Sequence, residues 1–240
     1  MPEHGDITRC DLLVFDLDGT LIDSERDLAN AVNATLGFLG RGQLPPSAIA
    51  DFVGDGAALL LRRAMEATGT FEDAQLTQAL PFFFDFYRAH NLDFTCCYPG
   101  VIAALEGIRE ANPVLPMAIL TNKPHRPSRA ICSGLGLTKF FFANYGGDSF
   151  PTRKPEPEGM HTLMLEASKL LGRTVTPART VLVGDSHVDV ETARNAGTKV
   201  IGCLYGLAPE KLRAAAPDMV IDHPSTWIEA ISTVLQSERR

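Results

Sequence analysis

The chain has 240 residues, 45% of them hydrophobic and 21% charged, which is enough apolar material for a packed core in one or two domains and excludes a disordered chain. Lys and Arg number 22 against 29 Asp and Glu, a net charge of −7 that argues against nucleic acid and anionic membranes as partners, since both require a positive surface field. A small anionic substrate stays compatible, because a pocket can be locally cationic inside an acidic protein.

In chain order, the first predicted element is a buried parallel strand, Asp11-Leu-Leu-Val-Phe15, stopped by Asp16-Leu-Asp-Gly-Thr20. From about 22 to 94 no strand is predicted. Helical patterns at Asp27–Leu39, Ala57–Ala67 and Ala74–His90 are punctuated by Gly40-Arg-Gly42 and Pro45-Pro46. This stretch reads as a helical cap over the strand-end pocket, with hinge crossings near Leu21–Ser24 and Phe94–Gly100. Beyond it, helical segments near 100–111, 125–135, 156–171, 187–196 and 224–236 alternate with short strands at Met117–Leu120, Phe141–Tyr145, Thr180–Val183, Val200-Ile201 with Cys203, and Met219–Ile221. The alternation predicts an α/β fold. Its parallel-sheet, Rossmann-like core spans 1–21 and 95–240, with the helical cap at 22–94 inserted after the first strand.

Ligands of such sheets bind beyond the carboxyl ends of the strands. Three strands end in chemically loaded groups: Asp16 with Asp18, Thr121 with Asn122, and Asp185. Asp16 and Asp18 stand two apart, so both side chains can face one pocket. Paired carboxylates can act as nucleophile and general acid/base, and they offer hard oxygen ligands to Mg²⁺. The alternative for an isolated Asp-x-Asp is a pair of solvated acids; Gly19-Thr20 and the other strand ends weigh against it.

Asp16-Leu-Asp-Gly-Thr20, Thr121-Asn122, Lys154 in Arg-Lys-Pro-Glu-Pro, and Gly184-Asp-Ser-His-Val-Asp189 occur in the order of the four motifs of the haloacid dehalogenase-like phosphohydrolases. Over nearly its whole length the chain resembles that family. The resemblance implies a Mg²⁺-dependent phosphatase that acts on a small phosphorylated metabolite through an aspartyl-phosphate. Asp16 would attack phosphorus. Asp18 would protonate the leaving oxygen and later activate water, and its presence points to phosphate esters over carbon–halogen or carbon–phosphorus bonds. Lys154 would steady Asp16 and, with Gly19, Thr20, Thr121 and Asn122, bind the phosphoryl group. Mg²⁺ would be held by Asp16, the backbone carbonyl of Asp18, and Asp185, with Asp189 binding a metal-bound water or pairing with Lys154. Phe52-Val-Gly-Asp-Gly56, Thr121-Asn-Lys-Pro124 and Lys154-Pro-Glu-Pro157 are similar to segments of the family's phosphoglycolate phosphatases, which makes 2-phosphoglycolate the leading substrate. Inorganic pyrophosphatase, sugar-phosphate phosphatase and phosphomutase activities follow. A phospho-aspartate signalling module is the reading from a different class, and the helical insert of about 70 residues argues against it.

Other residues carry weaker signals. Lys123 reads as a solvated strand-end lysine, with added positive potential at the pocket rim as the alternative. Arg62 and Arg63 read as solvent-facing, with a substrate carboxylate as their alternative partner. The run Phe82, Phe83, Phe84, Phe86 and Tyr87 reads as cap packing, part of it available to a dimer contact, so a monomer and a homodimer both stay open. Ser186 either orients a metal-bound water or caps the next helix. No P-loop and no His-Glu-x-x-His pattern occurs, and Val188 stands where a serine hydrolase elbow needs glycine. Five cysteines at 10, 96, 97, 132 and 203, without metal-finger spacing, read as reduced thiols of a cytoplasmic protein. MPEHGDITR has no apolar run and does not read as a signal peptide.

Overall fold

The computed structural model describes residues 6–236; residues 1–5, the start of MPEHGDITR, and 237–240 lie outside them. In chain order the elements are β1 (Leu12–Phe15), β2 (Ile22–Asp23), α1 (Glu25–Phe38), α2 (Pro46–Ala50), α3 (Ala57–Ala67), α4 (Asp73–His90) and β3 (Cys96–Cys97). There follow α5 (Val101–Ala111), β4 (Met117–Leu120), α6 (His125–Gly134), β5 (Ala143–Tyr145), α7 (Glu158–Leu171), β6 (Thr180–Gly184), α8 (His187–Ala196), β7 (Lys199–Cys203), α9 (Pro209–Ala215), β8 (Met219–Ile221) and α10 (Trp227–Gln236).

The α/β fold is the one expected. Six strands pair in parallel in the order β5-β4-β1-β6-β7-β8. β1 lies inside the sheet and is buried on both faces, which is why Leu-Leu-Val-Phe is apolar throughout. Its alternate residues feed two separate cores: Leu13 and Phe15 pack with Ile108, Trp227 and Ile231, and Leu12 and Val14 with Leu163, Ala167, Val190 and Leu212. Trp227 is fully buried with its ring 5.1 Å from that of Phe15, the packing role expected for it. Cys10, Cys132 and Cys203 are buried thiols, whereas Cys96 is exposed. Among the described residues no helix is long and apolar enough to cross a membrane.

A charged lock closes the N-terminal edge of the sheet. Asp11, whose side chain is 0% exposed, lies 2.6 Å from Arg173 and 2.7 Å from Arg179. Burial alone would raise its carboxyl pKa, but the hydrogen bonds and charges of the two arginines outweigh burial and hold it below the usual range. A depressed carboxyl pKa stabilises the fold above its unfolded value, about 3.9, and that contribution is lost as pH falls through the folded pKa. Asp11→Asn is therefore expected to lower the denaturant midpoint at pH 7 and to approach wild type near pH 3. A gap that stays constant with pH would contradict the ion-pair account.

Between β2 and β3 lie the helices α1 to α4. The two crossings pair with each other in an antiparallel ribbon, Ile22 opposite Cys97 and Asp23 opposite Cys96. The buried Asp27, in the first turn of α1, reinforces the ribbon. Its Oδ2 accepts from Phe94 N at 3.0 Å, Thr95 N at 2.8 Å and Thr95 Oγ1 at 2.7 Å. Inside the helical block, Val32, Leu36, Leu61, Met65 and Phe83 form the core, while Phe82 stacks on Phe38 at 4.4 Å on the outside.

Candidate active site

The carboxyl ends of β4, β1 and β6 lie side by side, since Phe15 pairs with both Ile119 and Val183. Asp16, Thr121 and Asp185 follow directly on those strands, and all three are buried. The chain then turns sharply after Asp16: the N–H groups of Thr20, Leu21 and Ile22 all donate to Leu17 O. Gly19 sits in this turn at φ +81°, and a side chain there would run into the Asp185 carboxylate. From the other side Gly206 closes on Asp185 as tightly, and Leu207 N donates to Asp185 Oδ2 at 2.9 Å. Thr20 Oγ1 lies 3.3 Å from Asp185 Oδ1.

Lys154 supplies positive charge at the floor of the site. Its Nζ lies 3.0 Å from Asp16 Oδ1 and 2.6 Å from Asp189 Oδ1, with the lysine side chain only 2% exposed. Asp189 is fixed by the start of α8, where it and Ser186 form a reciprocal cap. Ser186 N and Oγ donate to Asp189 Oδ2 at 3.1 and 2.6 Å, and Asp189 N donates back to Ser186 Oγ. Of the two roles left open for Ser186, helix capping is the one visible. Asn122 Nδ2 bridges Lys154 O at 2.9 Å and Gly54 O at 3.0 Å, joining the core motif to the glycine-rich loop of the helical block.

These carboxylates exceed the charge that the protein sets against them. Asp16, Asp185 and Asp189 bring oxygens within 4.8 Å of one another. Burial first, and then the Asp189 charge against the pull of Lys154, push the Asp16 carboxyl up to about 6. Burial, followed by the Asp16 and Asp189 charges, raises Asp185 well above the usual carboxylate range. Asp16 Oδ1 is buried with no hydrogen-bond donor aligned on it, although Lys154 is within ion-pair distance. An anionic, all-oxygen donor set with an open acceptor fits a hard divalent cation such as Mg²⁺.

Residues 13–203 match the sequence model of a family described as haloacid dehalogenase-like hydrolase. The chain belongs to the haloacid dehalogenase-like hydrolases. It is 39% identical over 215 residues to a phosphoglycolate phosphatase of Pseudomonas putida, covering 88% of this chain and 76% of the relative. To a phosphoglycolate phosphatase of Vibrio parahaemolyticus it is 34% identical over 227 residues, covering 92% and 96%. Its fold is similar to that of a crystal structure described as a predicted phosphoglycolate phosphatase of Haemophilus somnus, with TM-score 0.84, 27% identity and 93% and 98% of the two chains covered.

In this haloacid dehalogenase-like hydrolase the strand ends open into a cavity of about 60 Å³ between the core and the helical block. Asp16, Asp18, Thr121, Asn122 and Asp185 line it from the core. Leu28, Val53, Leu60, Phe83, Phe84 and Tyr87 line it from the block. The aromatic run is thus only in part packing: Phe83 and Tyr87 are buried, and with Phe84 they also wall the site. Lys123 departs from the solvated reading. It is buried, and its Nζ lies 2.9 and 3.1 Å from the two Asp18 oxygens and 2.7 Å from Tyr87 Oη. The reason is tertiary: Thr121 to Pro124 turn under α4, and a lysine there meets the Asp18 carboxylate before it meets water. Ser24 Oγ donates to Asp18 Oδ1 at 2.6 Å. Arg62 and Arg63 lie off the cavity, paired with Asp73 at 2.8 Å and Asp55 at 2.6 Å.

Proposed function

We propose that the protein is a Mg²⁺-dependent phosphatase of a small phosphomonoester, with 2-phosphoglycolate as its substrate. The observation that carries the reading is the buried Asp16 carboxylate, ion-paired on one side by Lys154 and flanked by further carboxylates that suit a divalent cation. The names of the similar proteins support the substrate, and so does a cavity that leaves room for a short leaving group.

On this reading Asp16 attacks phosphorus, the leaving oxygen departs with a proton from Asp18, and Asp18 then takes a proton from the water that cleaves the aspartyl-phosphate. Lys154 holds Asp16 in line and neutralises charge on the phosphoryl oxygens, which the Thr121 hydroxyl also receives, while Gly19 and Thr20, their N–H groups taken by Ile22 O and Leu17 O, hold the turn that borders them. Asn122, occupied by Gly54 O and Lys154 O, holds the phosphate-binding segments together. Asp16, Asp185 and the Asp18 carbonyl, with Asp189 behind them, would hold Mg²⁺, which would supply charge neutralisation between two anions that otherwise repel. Residues 22–94 act as the cap that excludes water, over a catalytic core of 1–21 and 95–240.

The test is phosphate release with Mg²⁺ from 2-phosphoglycolate, pyrophosphate and a panel of sugar phosphates, with Asp16→Asn as blank. The expected profile has kcat/KM for 2-phosphoglycolate at least about tenfold above the rest, the discrimination that one charged contact provides. A flat or sugar-preferring profile would remove that substrate. For the metal, Asp185→Asn is expected to weaken Mg²⁺ binding by more than about tenfold. Asp18→Asn, whose backbone carbonyl survives the change, is expected to weaken it less. Equal losses, measured by titration calorimetry, would contradict the ligand set.

A further inference from the structure

We propose that Lys123, with Tyr87 beside it, binds a carboxylate on the leaving group and by doing so releases Asp18 to act, which makes a phosphorylated hydroxycarboxylate the preferred substrate class. The inference rests on the phosphatase reading above and assigns its selectivity to two residues.

An ammonium has three N–H groups. Those of Lys123 have three acceptors in reach: the two Asp18 oxygens at 2.9 and 3.1 Å, and the Tyr87 hydroxyl at 2.7 Å. Asp18 also accepts from Ser24 at 2.6 Å. Both oxygens of the carboxylate assigned the acid/base role are therefore held by a buried cation. To serve a leaving oxygen on a phosphoryl group at Asp16, Asp18 has to give up that cation. A buried ammonium left without its counter-anion is costly. An incoming carboxylate removes the cost, because one carboxylate takes the place of another on Lys123. A neutral alcohol as leaving group offers no such exchange, and Asp18 stays on the lysine.

The rest of the cavity points the same way. Among the described residues Lys123 is the one cationic side chain on its wall. Arg62 and Arg63 are held by Asp73 and Asp55 away from it, and Lys154 is engaged by Asp16 and Asp189. From the helical block the lining side chains are apolar, except for the Tyr87 hydroxyl, which already faces Lys123. A carboxylate entering this cavity finds one cation and one neighbouring hydroxyl, and they are adjacent. Tyr87 belongs to α4 and Lys123 follows β4, so the carboxylate would sit where block and core meet.

The experiment is steady-state phosphate release with Mg²⁺ by the full chain, comparing 2-phosphoglycolate with ethyl phosphate, which carries a methyl group in place of the carboxylate. Wild type is expected to prefer 2-phosphoglycolate by about 30-fold or more in kcat/KM, the worth of a hydrogen-bonded charge. Lys123→Met is expected to bring that ratio close to one, and Tyr87→Phe to lower it about tenfold, the worth of one hydrogen bond to a charged group. Should Lys123→Met fail to fold, Tyr87→Phe, which keeps the ring, carries the test. A loss shared equally by both substrates in the variants would assign the pair to Asp18 alone and overturn the proposal. So would a wild type without preference between the two. A wild type that hydrolyses neither would remove 2-phosphoglycolate as the substrate and this inference with it, and one that also releases no phosphate from pyrophosphate or the sugar phosphates would overturn the phosphatase reading itself.

Discussion

Asp16→Asn is expected to abolish phosphate release, a loss of about 10⁴-fold or more, because an amide of the same shape cannot attack phosphorus. The same substitution is expected to make the metal-free protein more stable. Burial and the Asp189 charge push the Asp16 carboxyl up to about 6 against the pull of Lys154, whereas in an unfolded chain it would ionise near 3.9. A raised carboxyl pKa means that the fold disfavours the ionised form. The cost is absent below pH of about 4, grows between about 4 and 6, and stays constant above that. Without metal, Asp16→Asn should therefore melt above wild type at pH 8, with the gap closing toward pH 4. Mg²⁺ should raise the melting temperature of wild type more than that of the variant, by mass action on the folded state. Surviving turnover would remove Asp16 from the nucleophile's role, and a variant that melts lower at pH 8 would contradict the charge argument.

Lys154→Met has the largest effect expected on stability. Among the described residues its Nζ is the one ammonium in contact with Asp16 and Asp189, at 3.0 and 2.6 Å. Burial by itself would lower the pKa of Lys154, yet the two carboxylates outweigh it and hold the lysine charged. Removing the cation strands two buried carboxylates, a change that costs about 3–5 kcal/mol in comparable buried pairs. Turnover should fall by about 10²–10³-fold through loss of charge at the phosphoryl oxygens. A double substitution separates the two effects. Adding Asp189→Asn should return part of the stability, since one stranded charge is gone, and none of the turnover. Urea midpoints and phosphate release measured on wild type, both singles and the double check this. An unchanged midpoint in Lys154→Met would show that the charges are compensated in another way.

The parts of this fold that lie in the sheet were legible because their patterns are long relative to the noise. Three or four apolar residues running into Asp, Thr or Gly-Asp mark β1, β4 and β6, and the strand-end rule brings those groups together. The two shortest strands were not legible. β2 and β3 have two residues each, too few for any periodicity, and they exist because the two chain crossings find each other. Pro46 opens α2, where a proline that reads as punctuation is in fact a first-turn residue. Within the site, the burial of Lys123 was not legible because it depends on Tyr87, 36 positions away in sequence. Gly206 and Leu207 act on Asp185 through backbone alone, so neither side chain advertises the contact. Arg62 and Arg63 show the reverse case, in which charged residues at a suggestive spacing are taken up by Asp73 and Asp55 nearby.

The ribbon formed by Ile22–Asp23 and Cys96–Cys97 bears on how such a protein can change. The helical block enters and leaves the core through neighbouring strands, so the spacing of the two ends is set by one ladder pair and not by what lies between them. A tight turn could bridge that gap as well as four helices can. The strand order of the sheet, and with it the placement of Asp16 beside Asp185, would be indifferent to the exchange. Swapping or deleting the block is then a graft at a single stem. The block's share of selectivity, Tyr87 with it, can then be traded between chains while the phosphoryl chemistry and Lys123 stay with the core.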